Sequence, residues 1–358
     1  MKKVFIALSL ILCSSVTAYS QTKISIDSKP STIFIEQGEN KQILNFDFLV
    51  SNQSKDTLTL QRLKVAVFDH SNRMIHTRFL DNNGTAPGIL LLPVRTWNGQ
   101  TCHLVFNPFS EFSPAIPIDK LEFEWIFADN KENEIIVKTT VNPKKYQQTI
   151  KYIFPLKGRI LVYDAHDYNS HHRRFDYNFE PIKMLGLTTN FMRYAYDFVV
   201  VDNNNSQFKN KGEADTDYYG YESPVYAVAE GKVIYAVSSH KDDKNFNVPM
   251  LKDNPLELYG NCIAIKHTDG SVSIYGHLKE NSVTVKIGDS VKSNQAIAQI
   301  GVSGSSFFPH LHFEIRTDIT NAAEGIPSYF SNINLIVGNT TEKLKSGMAE
   351  TGNIIETK

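Results

Sequence analysis

Pro309-His310-Leu311-His312-Phe313-Glu314, with Tyr275-Gly276-His277-Leu278 upstream of it, is the stretch on which the reading of this chain turns. Strand residues two apart project to the same face, so His310 and His312 hold two imidazoles side by side on one sheet surface. Imidazole is the commonest metal ligand among side chains and the one best suited to move protons near neutral pH. One member of such a pair can bind a metal while the other works on water or substrate beside it. A lone His-x-His is weak evidence, because two surface histidines fall at that spacing by chance. The surroundings decide.

Outward from the pair, the β pattern is continuous. Asn261 to His267 and Ser271 to His277 are expected to pair across Thr268-Asp269-Gly270, where Asp-Gly is a strong hairpin signal. Ser223 to Tyr235 reads as two strands around a Glu230-Gly231 turn, and Val285 to Val291 and Ala296 to Gly301 continue the sheet. Arg193-Tyr194-Ala195-Tyr196-Asp197-Phe198 places a carboxylate on an aromatic-rich strand before them. Gly301-Val302-Ser303-Gly304-Ser305-Ser306 leads into the His pair, and its glycines can take backbone angles that other residues avoid.

Taken in order over roughly residues 190 to 320, these motifs resemble the lysostaphin/LytM-type zinc metallopeptidases, which cut peptide cross-links in bacterial cell walls. The resemblance implies a C-terminal, antiparallel β peptidase domain over residues 151–337, a Zn2+ cofactor and peptidoglycan as substrate. It makes Asp197 and His312 metal ligands, and His277 and His310 the two catalytic histidines that orient water and stabilise charge developing on the scissile carbonyl. Zinc with three protein ligands leaves a position open for water, whose pKa then falls towards neutrality. Uncoordinated histidines nearby can act as general base or hydrogen-bond donor.

One position departs from the family. Its first ligand histidine stands four residues before the aspartate, and here that residue is Arg193, which stays protonated and cannot bind zinc. On a strand, Arg193 could pair with Asp197 instead. Two readings follow. In the first, the third imidazole comes from Ser170-His171-His172-Arg173-Arg174, as in a branch of the family where a His pair precedes an Arg-Tyr-Ala-x-Asp strand. His172 stands slightly ahead of His171, with His166 third. In the second, the domain is inactive and binds wall peptides or activates a separate amidase. The survival of Asp197, His277, His310 and His312 together favours the first.

The remaining titratable residues read as bland. His172 and Asp176 also have the family's spacing, but Asp176 is far from the other motifs and is expected to be a solvated loop residue. His240 and His267 are expected to be exposed, as is the Arg173-Arg174 pair, which could meet anionic wall polymers. The inserted loops 164–189 and 202–220 are expected to flank the substrate groove.

Residues 22–145 alternate apolar and polar positions in short runs, such as Arg62 to Phe68, separated by turn material such as Asp81-Asn82-Asn83-Gly84. Such spacing predicts an immunoglobulin-like β-sandwich, read as a spacer or an adhesion module towards cell-wall or envelope proteins. Catalysis is then expected to survive its removal. Pro143-Lys144-Lys145 is the expected linker, and 338–358 reads as a polar, frayed tail. The overall fold class is therefore mainly β.

With 358 residues the chain is long enough for two cores. A formal charge of -1 offers no basic footprint for nucleic acid. Met1-Lys2-Lys3 and the apolar run Val4 to Cys13 read as a signal peptide over residues 1–20, so the protein is expected to be exported to the periplasm, envelope or medium. Cys13 could carry a lipid, but Leu12 before it is a poor match to the small residue such processing prefers. The run is too short to span a membrane, and no later segment is long enough. Cys102 and Cys262 read as two isolated thiols rather than a disulfide.

Overall fold

The computed structural model describes residues 24–358, so the expected signal peptide over residues 1–20, with Cys13, lies outside the described residues. The fold is mainly β. In the N-terminal part, the strands Ile24–Lys29, Asp47–Asn52 and Cys102–Phe106 form one antiparallel sheet. Met74–Asp81, Leu58–Phe68, Lys120–Asp129 and Glu134–Val141 form a second. The period-two alternation of Lys120–Asp129 turns Leu121, Phe123, Trp125 and Phe127 inward. There Phe123 and Trp125 meet Phe48 of the facing sheet edge-on, at ring separations of 4.8 and 4.9 Å. The linker is part of this structure: Lys144–Lys145 pairs in parallel with Phe34–Gln37.

The C-terminal part is built on one long sheet, ordered Ser290–Val291, Gly231–Val237, Asn261–Lys266, Val272–Leu278, Leu311–Arg316, Tyr196–Val200, Gly158–Asp164, Ile354–Thr357, Phe330–Val337 and Thr340–Gly347. The Asp-Gly hairpin forms as expected, with Lys266 opposite Val272 and Gly270 at φ +90°. The two strands around Glu230-Gly231 form too, but they do not pair with each other. Pro224–Tyr226 pairs with Ala296–Gln299 in a separate two-stranded sheet, while Gly231–Val237 joins the long one.

Alternation along Leu311–Arg316 positions the site. Leu311, Phe313 and Ile315 enter the core with Phe198, Tyr275 and Phe330, which leaves His312, Glu314 and Arg316 on the opposite face. The register sets His312 directly across from Asp197 on one side and Gly276 on the other. A Cβ at residue 276 would sit 2.8 Å from Tyr259, so glycine there admits the tyrosine ring that stacks on His312 at 4.4 Å.

Two expectations are corrected. Residues 338–358 are not a frayed tail. Ile354–Thr357 lies between Gly158–Asp164 and Phe330–Val337, with Ile355 fully buried. Nor is the N-terminal domain a detached spacer, since Asp47, Asn45 and Glu36 are fully buried and meet residues of the C-terminal part. Among the described residues, no helix is long and apolar enough to cross a membrane.

Because Ile355 packs in the core, Ile355→Ala is expected to cost about 2–5 kcal/mol of unfolding free energy, read by urea denaturation of the whole chain. A change within about 0.5 kcal/mol, as at surface sites, would mean the last strand contributes nothing.

Candidate metal centre

Three elements bring imidazoles and a carboxylate together. Asp197 projects from Tyr196–Val200 and His312 from the neighbouring strand, with His312 Nδ1 3.2 Å from Asp197 Oδ1. His172 comes from the turn-rich segment after Gly158–Asp164 and places Nε2 3.5 Å from the same oxygen. The ligand atoms of His172, Asp197 and His312 all lie within 4.8 Å of one another, and all three residues are buried. Two imidazoles and one carboxylate are a donor set suited to zinc, and three protein ligands leave a coordination position free.

The arrangement also orients these side chains. His172 Nδ1 faces Asp164 Oδ2 at 3.0 Å, which turns Nε2 towards Asp197. His312 Nε2 faces Glu314 Oε1 at 3.5 Å, and Glu314 is gripped by Arg316, which also donates to the Tyr259 hydroxyl at 2.6 Å. Each imidazole thus has a carboxylate behind it, the arrangement that fixes tautomer and ring orientation in metal sites. Burial opposes protonation of His312, but Asp197 and Glu314 outweigh it and push the imidazole up to about 9. Burial likewise disfavours an ionised Asp197, yet His172 and His310 overcome it and hold the carboxyl well below its ordinary range.

His277 and His310 stand at the rim of the same cluster, their ring centres 4.9 Å apart. Nδ1 of His277 lies 2.8 Å from the Ser303 carbonyl, and Nδ1 of His310 lies 2.8 Å from the Phe308 carbonyl. A carbonyl only accepts, so both Nδ1 atoms carry hydrogen and Nε2 is the nitrogen left for chemistry. Nε2 of His310 points into the site, 3.5 Å from Asp197 Oδ1. Burial, then the neighbouring His310 and His312, keep His277 well below the usual histidine range, hence neutral. His277 also holds φ +57°, a backbone state that non-glycine residues adopt only where the surroundings impose it.

The cleft in front of these groups measures about 720 Å³ and is walled by Tyr163, Phe175, Met192, Leu258, Phe307 and Phe308. Tyr163 and Phe175 come from the 158–179 stretch, and Tyr218 of the second inserted loop stacks on Phe308 at 5.8 Å. Next to the lining residues Tyr259 and Ser305, Gly260 and Gly304 pack backbone to backbone, where a Cβ on either would lie 2.4 Å from the other's backbone nitrogen.

Of the doublet, His172 is buried in the cluster. His171 is 64% exposed, with Nδ1 3.0 Å from Asp164 and Nε2 3.9 Å from Asp197. His166 points elsewhere, bonding Glu36 at 2.9 Å. Arg193 does not pair with Asp197. Its guanidinium turns away to Asp47, 2.6 Å distant, because burial there demands a counter-charge. Arg173 is likewise buried rather than solvated, and also meets Asp47. His267 is buried between the Glu230 carbonyl and the Ser273 hydroxyl. His240 and Asp176 are half-buried. The two cysteines are free, Cys262 buried and Cys102 half-buried.

The sequence reading missed Asp164 and Glu314. Glu314 was findable, being two residues from His312 on the same strand face. Asp164 carries no spacing signature, because an irregular loop returns His172 to it.

The family model of Peptidase family M23 matches residues 216–324, a span holding His277, His310 and His312. Lipoprotein NlpD of Yersinia enterocolitica is 38% identical over 93 residues, 26% of this chain and 76% of that protein. The chain belongs to peptidase family M23. Another M23 relative, murein hydrolase activator NlpD of Salmonella typhimurium, is 35% identical over 126 residues, 35% of this chain and 28% of that protein. Cell division protein DipM of Caulobacter vibrioides is 32% identical over 94 residues, 26% of this chain and 12% of that protein. This M23 chain therefore spans only a fraction of most of these relatives. The catalytic domain of lysostaphin from Staphylococcus simulans matches 47% of this chain and 88% of its own, at 22% identity and a TM-score of 0.26, too low to carry an argument.

If Asp164 orients His172, Asp164→Asn is expected to weaken zinc binding about 10- to 100-fold, measured by chelator competition. An unchanged affinity would leave Asp164 with no part in the site.

Proposed function

We propose that this protein is an exported zinc metalloendopeptidase that hydrolyses amide bonds in peptidoglycan stem peptides or cross-bridges. The observation that carries the reading is the convergence of His172, Asp197 and His312, with His277 and His310 intact beside them. The imidazole missing at Arg193 is replaced from another segment, which a domain that had abandoned chemistry would not need.

His172, Asp197 and His312 would hold the zinc, which when bound polarises a carbonyl and acidifies water. His310 and His277 each offer Nε2 to the same space. A neutral His277 can accept a proton from water at Nε2, and His310, with Nδ1–H held by the Phe308 carbonyl, can donate from Nε2 in its doubly protonated form to the oxygen on which charge builds. The aromatic cleft excludes water and seats the peptide. Tyr163 lines the cleft from the end of the strand Gly158–Asp164, and Phe307 and Tyr218 line or approach its edge on loops whose composition would set which bond is cut.

A second reading draws on the relatives named murein hydrolase activators. In it, the domain binds wall peptides or a separate amidase and performs no hydrolysis.

Purified protein is expected to contain about one zinc per chain, since three ligands define one site, and to release soluble fragments from isolated cell walls. His312→Ala should lose both properties. His277→Ala should keep the metal and lose about 10²- to 10⁴-fold in rate, the usual worth of a general acid or base. A zinc-loaded wild type that solubilises no wall but stimulates an amidase would decide for the activator.

A further inference from the structure

The segment that delivers His172 contains little regular structure, and much of what anchors it lies in the other domain. Arg173, next to His172, donates from Nε to Asn45 Oδ1 at 3.0 Å and from its terminal nitrogens to the Phe46 carbonyl and Asp47. His166, at the start of the segment, bonds Glu36, while Asn45 donates to the His166 carbonyl. Asn178 at its far end donates to the Cys102 carbonyl. The C-terminal part supplies Asp164 and Asn190, the latter donating to the His172 and Arg173 carbonyls.

Asp47 has a second task. Its other oxygen takes Arg193, four residues before Asp197, on the approach to the strand that carries that carboxylate. One fully buried carboxylate therefore ties both chain segments that supply the site's N-terminal ligands. Buried guanidinium groups without a counter-charge are strongly disfavoured, and Asp47 is the carboxylate in contact with both of these arginines. Glu324 is the other acid whose charge acts on Arg193.

We propose that Asp47 is a positioning residue for the metal centre, which seats His172 through Arg173 and the Asp197 strand through Arg193, so that the N-terminal sandwich forms part of the site's support. The inference rests on the zinc reading above. It reverses the expectation that catalysis survives removal of the first domain: the position where the family keeps a ligand is given over here to an interdomain tie.

The test uses the full chain, with zinc affinity by chelator competition and the absorption spectrum of the cobalt(II)-loaded site. Asp47→Asn is expected to lower zinc affinity about tenfold or more, the worth of an outer residue that orients a ligand. It should also shift the cobalt bands, and Asp47→Glu should return both towards wild type. Should Asp47→Asn fail to fold, Asn45→Ala, which removes the bonds to Arg173, the His166 carbonyl and Glu36 but no charge, is expected to show the same shift at smaller size. Folded variants whose zinc affinity and cobalt spectrum match wild type overturn the inference alone. A wild type that binds neither metal overturns the zinc reading, and this inference with it.

Discussion

His312 faces Asp197 across an antiparallel pair, and Gly276 faces His312 from the other side. Because side chains alternate faces with a period of two, a one-residue slip would send His312 into the core and Phe313 into the cleft. The register is held by what lies on the other face: Leu311, Phe313 and Ile315 pack with Phe198, Tyr275 and Phe330. The hydrophobic core and the polar cluster are thus two sides of one constraint. Burial of the apolar face fixes the geometry of the polar face, and the buried charges there are tolerated because each has a partner.

From that pair outward, the site is completed by residues that the sheet itself cannot supply. His172 arrives from an irregular segment, and Arg193 points to the other domain. A guanidinium at that position cannot be a ligand, yet it can be a strut. Arg193 and Arg173 both meet Asp47, which is fully buried in the N-terminal part.

The strand pattern, the Asp-Gly hairpin and the shared face of His310 and His312 were legible because each rests on local rules of two to seven residues. The fold class followed from the same signals. His172 was legible only as one of a doublet, since burial separates it from His171 and burial is a tertiary property. The partners of Arg173 and Arg193 were not legible. They lie 126 and 146 residues away in sequence, at Asp47. The last strand was misread for a related reason: Ile354-Ile355 is a short apolar pair in polar surroundings, and only the gap between two distant strands makes it core. His267 was misread because its partners, the Glu230 carbonyl and Ser273, face it only once the strands pair.

The proposed metal site rests on the imidazole of His172 meeting Asp197 and His312. Anomalous diffraction at the zinc edge from crystals of the zinc-loaded protein tests this most directly. The account predicts a single strong peak about 2.0–2.2 Å from His172 Nε2, an Asp197 oxygen and His312 Nδ1. A peak held by His171 with His172 turned away, or no peak beside Asp197 at all, would contradict it.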